Sequence, residues 1–179
     1  MSNTLPEKQY TDLISKIGNT FTNARQKTIQ TIHNEMLLSY WEIGKHIVEF
    51  EQKGKQKADY GTTLMTRLSK DLKTSFGKGF SRSNLTYMRM LYLKYPKCET
   101  LSHKLSWSHY FELLKIGDDL ERSFYEKQSI IENWSIRELK RQKDSAIFQR
   151  IALSKNKEEI FQLSKKGFIP KKRLHSKGR

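Results

Sequence analysis

The sequence predicts an all-α fold built as a multi-helix domain with one long helix and a helix-turn-helix-like unit, and three observations carry that prediction. The prolines stand at Pro6, Pro96 and Pro170, which leaves a long interior without a helix breaker. Apolar residues recur at three- and four-residue spacing, not in the alternation of a strand. Ser or Asp repeatedly stands just ahead of such a run, where a side-chain oxygen can cap the first turn of a helix.

Taken in order, residues 7–17 form a short amphipathic candidate carrying Tyr10, Leu13, Ile14 and Ile17, expected to stop at Gly18 and Asn19. A long helix is then expected from about Phe21 to Gln52. Ile29, Ile32, Met36, Leu37, Tyr40, Trp41, Ile47 and Val48 mark its broad apolar stripe. Such a length suits an element that spans the domain or pairs with a copy of itself, and Gly44 inside it lets another backbone come close.

Residues 53–61 read as a polar loop. The next helix, about 61–76, gathers Leu64, Met65, Leu68, Leu72 and Phe76 on one face, with Arg67, Lys70 and Lys73 opposite. GKGFS at 77–81 is the turn. Ser81 then caps a helix that runs to Tyr95 and is ended by Pro96. Its inward face is Leu85, Met88, Leu91, Tyr92 and Tyr95. Arg82, Ser83 and Thr86 look outward near its start, with Asn84, Tyr87 and Arg89 on the flanks. Met90 and Leu93 fall on the remaining face and imply that protein covers it, so that groove access is limited to the first turn or two. Two strands in 97–104 would make this a winged helix, but that segment is short and polar.

Further on, Ser106 caps WSHYFELLKI, Asp118 or Asp119 caps LERSFYEKQSIIEN, and Ser135 caps IRELKRQKDSAIFQRI with Glu138 at the capping-box position. A last helix is expected around residues 157–163, followed by a basic, partly disordered end. The organisation is therefore a helical extension over 1–20, a DNA-binding-type helical domain over 21–152, and a basic helix and tail over 153–179.

The net charge is +15, and its distribution matters more than its sum. Lys and Arg number 11 against 2 acidic residues in 53–97, and 9 against 2 in 155–179, whereas 98–154 balances at 9 and 9. Two basic blocks point to a polyanion, with double-stranded DNA as the leading partner. A single cysteine, Cys98, excludes an internal disulfide framework and a Cys-based zinc site. With no signal-peptide or membrane-spanning run, the expected setting is the cytoplasm.

A helix-turn-helix places the leading residues of its second helix against base edges while the first helix and nearby loops hold phosphates. That assigns Ser81, Arg82, Ser83, Asn84, Thr86, Tyr87 and Arg89 to the base-facing side. Arg67, Lys70, Lys73 and Lys78 go to the backbone. The rival reading is a helical hairpin with a solvated basic face, because a five-residue link is looser than the usual three or four.

Enzyme motifs are thin. Asp118 or Asp119 followed by Glu138, Leu139 and Lys140 mimics the D…(E/D)xK pattern of metal-dependent nucleases, but capping explains the acids better. Glu138 and Lys140, two apart on a helix, do not face one site. The five histidines form no metal motif, no phosphate loop or dinucleotide fingerprint occurs, and no cofactor or catalysis is expected.

NEMLLSYWEIGKHIVE (34–49), YGTTLMTRLSKDLKTSF (60–76), GFSRSNLTYMRMLYLKYP (79–96), LSWSHYFELLKI (105–116), ERSFYEKQSIIENWSIRELKRQ (121–142) and ALSKNKEEIFQLSKKG (152–167) resemble, in this order, the N-terminal domain of the YhcG-like family. The resemblance implies a helix-turn-helix or winged-helix targeting module of the kind placed ahead of a PD-(D/E)XK nuclease domain in restriction-modification or mobile-element settings. Family members continue past the position of Gly167 into that nuclease domain, whereas this sequence ends at FIPKKRLHSKGR. The expectation is a DNA-targeting module without its own catalytic domain, either stand-alone or a shortened remnant, and dimeric through its long helix or its C-terminal helices. The alternative is a protein-interaction scaffold that recruits a nuclease or restriction subunit in trans.

Overall fold

No proline interrupts residues 7–95, and the first helix uses that freedom fully. In the computed structural model, which describes residues 7–53 and 58–153 together with 158, 159, 162 and 166, α1 spans Glu7–Lys53 as one element of 47 residues. The expected stop at Gly18 and Asn19 does not occur. A glycine in an exposed helix costs about 1 kcal/mol relative to alanine, and nothing packs against Gly18 to divert the chain. The boundary drawn at residue 20 therefore falls inside a helix.

The remaining elements are α2 (Ala58–Phe76), a 3-10 turn (Lys78–Phe80), α3 (Arg82–Lys94), a second 3-10 turn (Cys98–Thr100), α4 (Trp107–Leu113), α5 (Asp119–Ile131), α6 (Ile136–Asp144) and α7 (Ile147–Ala152). The fold is all-α, with no strand among the described residues. Residues 97–104 thus form a 3-10 turn and bends and supply no wing. None of the described helices is long and apolar enough to cross a membrane. The helix expected around 157–163 and the basic tail lie outside the described residues, apart from the four positions named.

The caps are as the sequence implies. Ser81, Asp118 and Ser135 accept hydrogen bonds from the backbone N–H groups of Asn84, Glu121 and Glu138. Glu138 does not complete a capping box; its carboxylate takes hydrogen bonds from Arg141 and Gln142 instead. The full box belongs to α4, where the Ser106 N–H donates to Nδ1 of His109 at 3.2 Å. The Nε2 of His109 lies 3.0 Å from the Trp134 carbonyl, which must accept, so the neutral ring carries its proton on Nε2. Burial pushes the His109 pKa down, in keeping with that neutral ring.

The single helix expected from Ser135 onward is two. Ser145 caps α6, and Ala146 turns into the left-handed region at φ 49°. This bend brings Phe148 of α7 back onto Phe124 of α5, with ring centroids 5.4 Å apart.

α3 is the central element, and Leu85, Met88 and Leu91 on it are fully buried. The second half of α1 lies along one side of α3. Trp41 Nε1 donates to the Tyr95 carbonyl at 2.6 Å, and Glu51 accepts from Arg89 Nε at 2.7 Å. Tyr110, Leu113, Phe124, Tyr125 and Leu139 from α4, α5 and α6 complete the larger core. Within it the Glu126 carboxylate accepts from the Tyr95 hydroxyl at 2.8 Å. Burial pushes the Glu126 carboxyl up, and the hydrogen bonds from Tyr95 and Tyr110 only partly oppose that.

Candidate nucleic-acid interface

Glycine ends α2 and frees the chain to turn. Gly77 takes φ +91°, a conformation that side chains rarely adopt, and its N–H donates to the Lys73 carbonyl as the last bond of the helix. Ser69 of α2 donates to the Phe80 carbonyl at 3.0 Å and holds the 3-10 turn against α2. Phe76, expected on the inward face, is exposed and leans on Phe80 at 5.9 Å, because α2 outruns the core at its end.

Around this corner stand the sequence-predicted residues. Lys70, Lys73, Lys78 and Arg82 are exposed, and among the described residues they enter no ion pair. Arg67 is exposed too and lies 3.9 Å from Asp71 one turn on. Together they make a positive surface at the end of α2 and the start of α3. Ser83 is exposed beside Arg82.

The other predicted base-facing residues are engaged within the fold. Ser81 is the cap. Asn84 Nδ2 donates to the Gly79 carbonyl at 2.6 Å, and the Thr86 hydroxyl donates to the Arg82 carbonyl at 2.9 Å. Tyr87 packs on Phe111 at 4.2 Å between ring centroids, and Arg89 is spent on Glu51. Along α3 the exposed residues are Arg82, Ser83, Leu93 and Lys94, so its open part is its first turn and its last. Met90 is partly buried against the larger core, as its place on the helix implied, whereas Leu93 is exposed.

One feature near this turn was not legible in the sequence. Asn84 borders a cleft of about 390 Å³ whose walls include Trp107, Ser108 and Phe111 of α4, Glu112 and Lys140. Lys140 stands 3.5 Å from Glu112, which also holds Lys115 at 2.7 Å and Lys143 at 3.3 Å. Burial would raise the Glu112 carboxyl, but Lys115 and Lys143 outweigh it and hold it below its ordinary value. The cleft joins Asn84 to residues 23 to 56 positions further along the chain, so no local signal marks it.

The acids of the nuclease-like pattern are dispersed. Asp119 pairs with Lys94 at 2.9 Å and Arg122 at 2.5 Å, Glu138 pairs with Arg141, and Lys140 pairs with Glu112. Among the described residues no three His, Cys, Asp or Glu side chains gather as a metal site would require.

The family of the DUF1016 N-terminal domain matches residues 16–150, three quarters of the chain. This chain belongs to that family. The DUF1016 N-terminal domain here thus covers α1 from residue 16 onward, the α2–α3 corner and the helices behind it. "Putative nuclease YhcG" of Escherichia coli (strain K12) is 36% identical over 172 residues, which cover 78% of this chain and 46% of that protein. The chain thus spans about half the length of the curated relative it matches. No solved structure matches it.

Proposed function

We propose that this chain is the DNA-targeting part of a nuclease-associated system, acts in the cytoplasm, and takes no catalytic step itself. Lys70, Lys73 and Lys78, with Arg67 beside them, hold the phosphates of a duplex. The first turn of α3 brings Arg82 and Ser83 towards base edges. The observation that carries this reading is the cluster of exposed cations, Lys70, Lys73, Lys78 and Arg82, around the open first turn of a helix whose middle is covered. Phosphate contacts need only charge in the right place, whereas base contacts need a protruding turn, and this corner supplies both. The name of the relative, a nuclease, supports the setting.

Titration of duplex DNA at several salt concentrations tests the reading. Each neutralised phosphate contributes about 0.9 to the slope of log K against log salt, so four cations in contact give a slope of roughly 3.6. Binding no tighter than that of an inert protein of equal charge would overturn it.

A further inference from the structure

The first 27 residues of α1, from Glu7 to His33, are exposed without exception. At about 1.5 Å per residue they extend roughly 40 Å. A solvated helix of this kind should be polar all round, or it needs a partner to stay folded. This one is not polar all round. From Tyr10 to Met36 it carries eight large apolar side chains that are 43–70% exposed, Phe21 the most. Turned at about 100° per residue, they fall within one half of the circumference.

The charges along α1 are also sorted. Residues 7–27 hold four basic and two acidic side chains, whereas residues 28–51 hold one basic and four acidic. The apolar face continues into the second half of the helix. There Ile43, Ile47 and Phe50 meet Leu64, Leu68 and Leu72 of α2 in an apolar groove of about 350 Å³.

We propose that this face of α1 docks a second copy of the same chain, with the two α1 helices antiparallel. Antiparallel pairing lays the basic half of each helix on the acidic half of the other, twice over by symmetry, and sets the positive end of each helix dipole beside the negative end of the other. Parallel pairing would stack like on like. A strip about 40 Å long and roughly 20 Å around offers on the order of 800 Å² per copy, the size of a standard stable interface. The tip of each helix then lies towards the other copy's apolar groove, and the two bodies sit at opposite ends of the pair. The inference is independent of DNA binding, since none of the α2–α3 cations takes part.

Sedimentation equilibrium of the full chain, at low and high salt, reads it out. A dimer is expected, weakened by salt, and reduced to monomer by Ile17→Asp or Phe21→Asp. Both positions are exposed, so near-ultraviolet circular dichroism should report an unchanged body. Carbodiimide coupling of a mixture of isotope-labelled and unlabelled chains then tests orientation. Cross-links between copies should join Lys8, Lys16 or Lys27 to Glu35, Glu42 or Glu49. Three results overturn the proposal: a monomer at all concentrations, a dimer indifferent to both aspartates, or cross-links that join Lys8 and Lys16 to Glu7 and Asp12 of the other copy. A chain that is monomeric alone but seats a nuclease subunit on this face would likewise overturn it.

Discussion

Gly44 of α1 meets Met88 of α3 so closely that a Cβ at position 44 would overlap the Met88 carbonyl. The overlap is with backbone and cannot be relieved by a rotamer change, so the crossing of the two helices depends on the missing side chain. The same crossing is held above by Trp41 on the Tyr95 carbonyl and below by Arg89 on Glu51.

Gly44→Ala should therefore cost about 3 kcal/mol, the upper range for forcing extra volume into a packed core. Urea denaturation checks this. Gly18→Ala is the matched control, because nothing lies within 4 Å of a Cβ there. It should raise stability, by up to about 1 kcal/mol.

For the DNA surface, Lys70→Ala and Lys73→Ala should weaken all duplexes alike and lower the salt slope by about 0.9 each. Arg82→Ala should in addition flatten the preference among sequences. Fluorescence anisotropy against a panel of duplexes separates the two effects; an identical, uniform loss for all three changes would end the case for base reading by the first turn of α3.

Arg89 offers a cleaner division between fold and function. Its guanidinium is part-buried on Glu51, so a double-mutant cycle of Arg89→Ala and Glu51→Ala should give a coupling of about 1–2 kcal/mol in stability. Duplex affinity of the folded Arg89→Ala protein should stay at the wild-type level. A reduced salt slope in that variant would return Arg89 to the DNA surface.

Glu126 sets a pH dependence. Burial raises its carboxyl above the ordinary value of 4.5, so the folded state holds this proton more tightly than the unfolded chain does. Its contribution is complete below about that value and is lost as pH rises through the folded pKa. Asp119, held low by hydrogen bonds from Lys94 and Arg122, acts in the opposite sense. Its contribution is present above the ordinary 3.8 and is lost as pH falls. Glu126→Gln keeps a neutral group beside Tyr95 and Tyr110 and should gain stability relative to wild type as pH rises from 4 towards 7. Parallel stability curves for the two proteins would contradict the assignment, and a carboxyl NMR titration locates the pKa directly.

Much of this fold is legible along the chain because its determinants are local. Ser81, Ser106, Asp118 and Ser135 start helices through bonds to residues three positions on, and Pro96 forbids continuation. Gly44 was readable too, since a glycine amid a strong apolar stripe has a packing reason. Gly18 misled, because the same residue in an unpacked helix costs too little to break it. The bend at Ala146 was hidden because nothing in its neighbourhood forbids a helix; the pull of Phe148 towards Phe124 decides it.

The sequence by itself determined the helical class, the caps, the family and the basic block that brings Lys70, Lys73, Lys78 and Arg82 to one corner. These depend on short-range periodicity and on charge, which neighbours in the chain share. The tertiary structure alone decided which predicted site residues are open. Tyr87 goes to Phe111 and Arg89 to Glu51, contacts made across 24 and 38 positions of chain. It also decided that α1 is one uninterrupted helix whose apolar first half stays exposed among the described residues. Periodicity shows that a face is apolar; only the positions of the other helices show whether that face is filled.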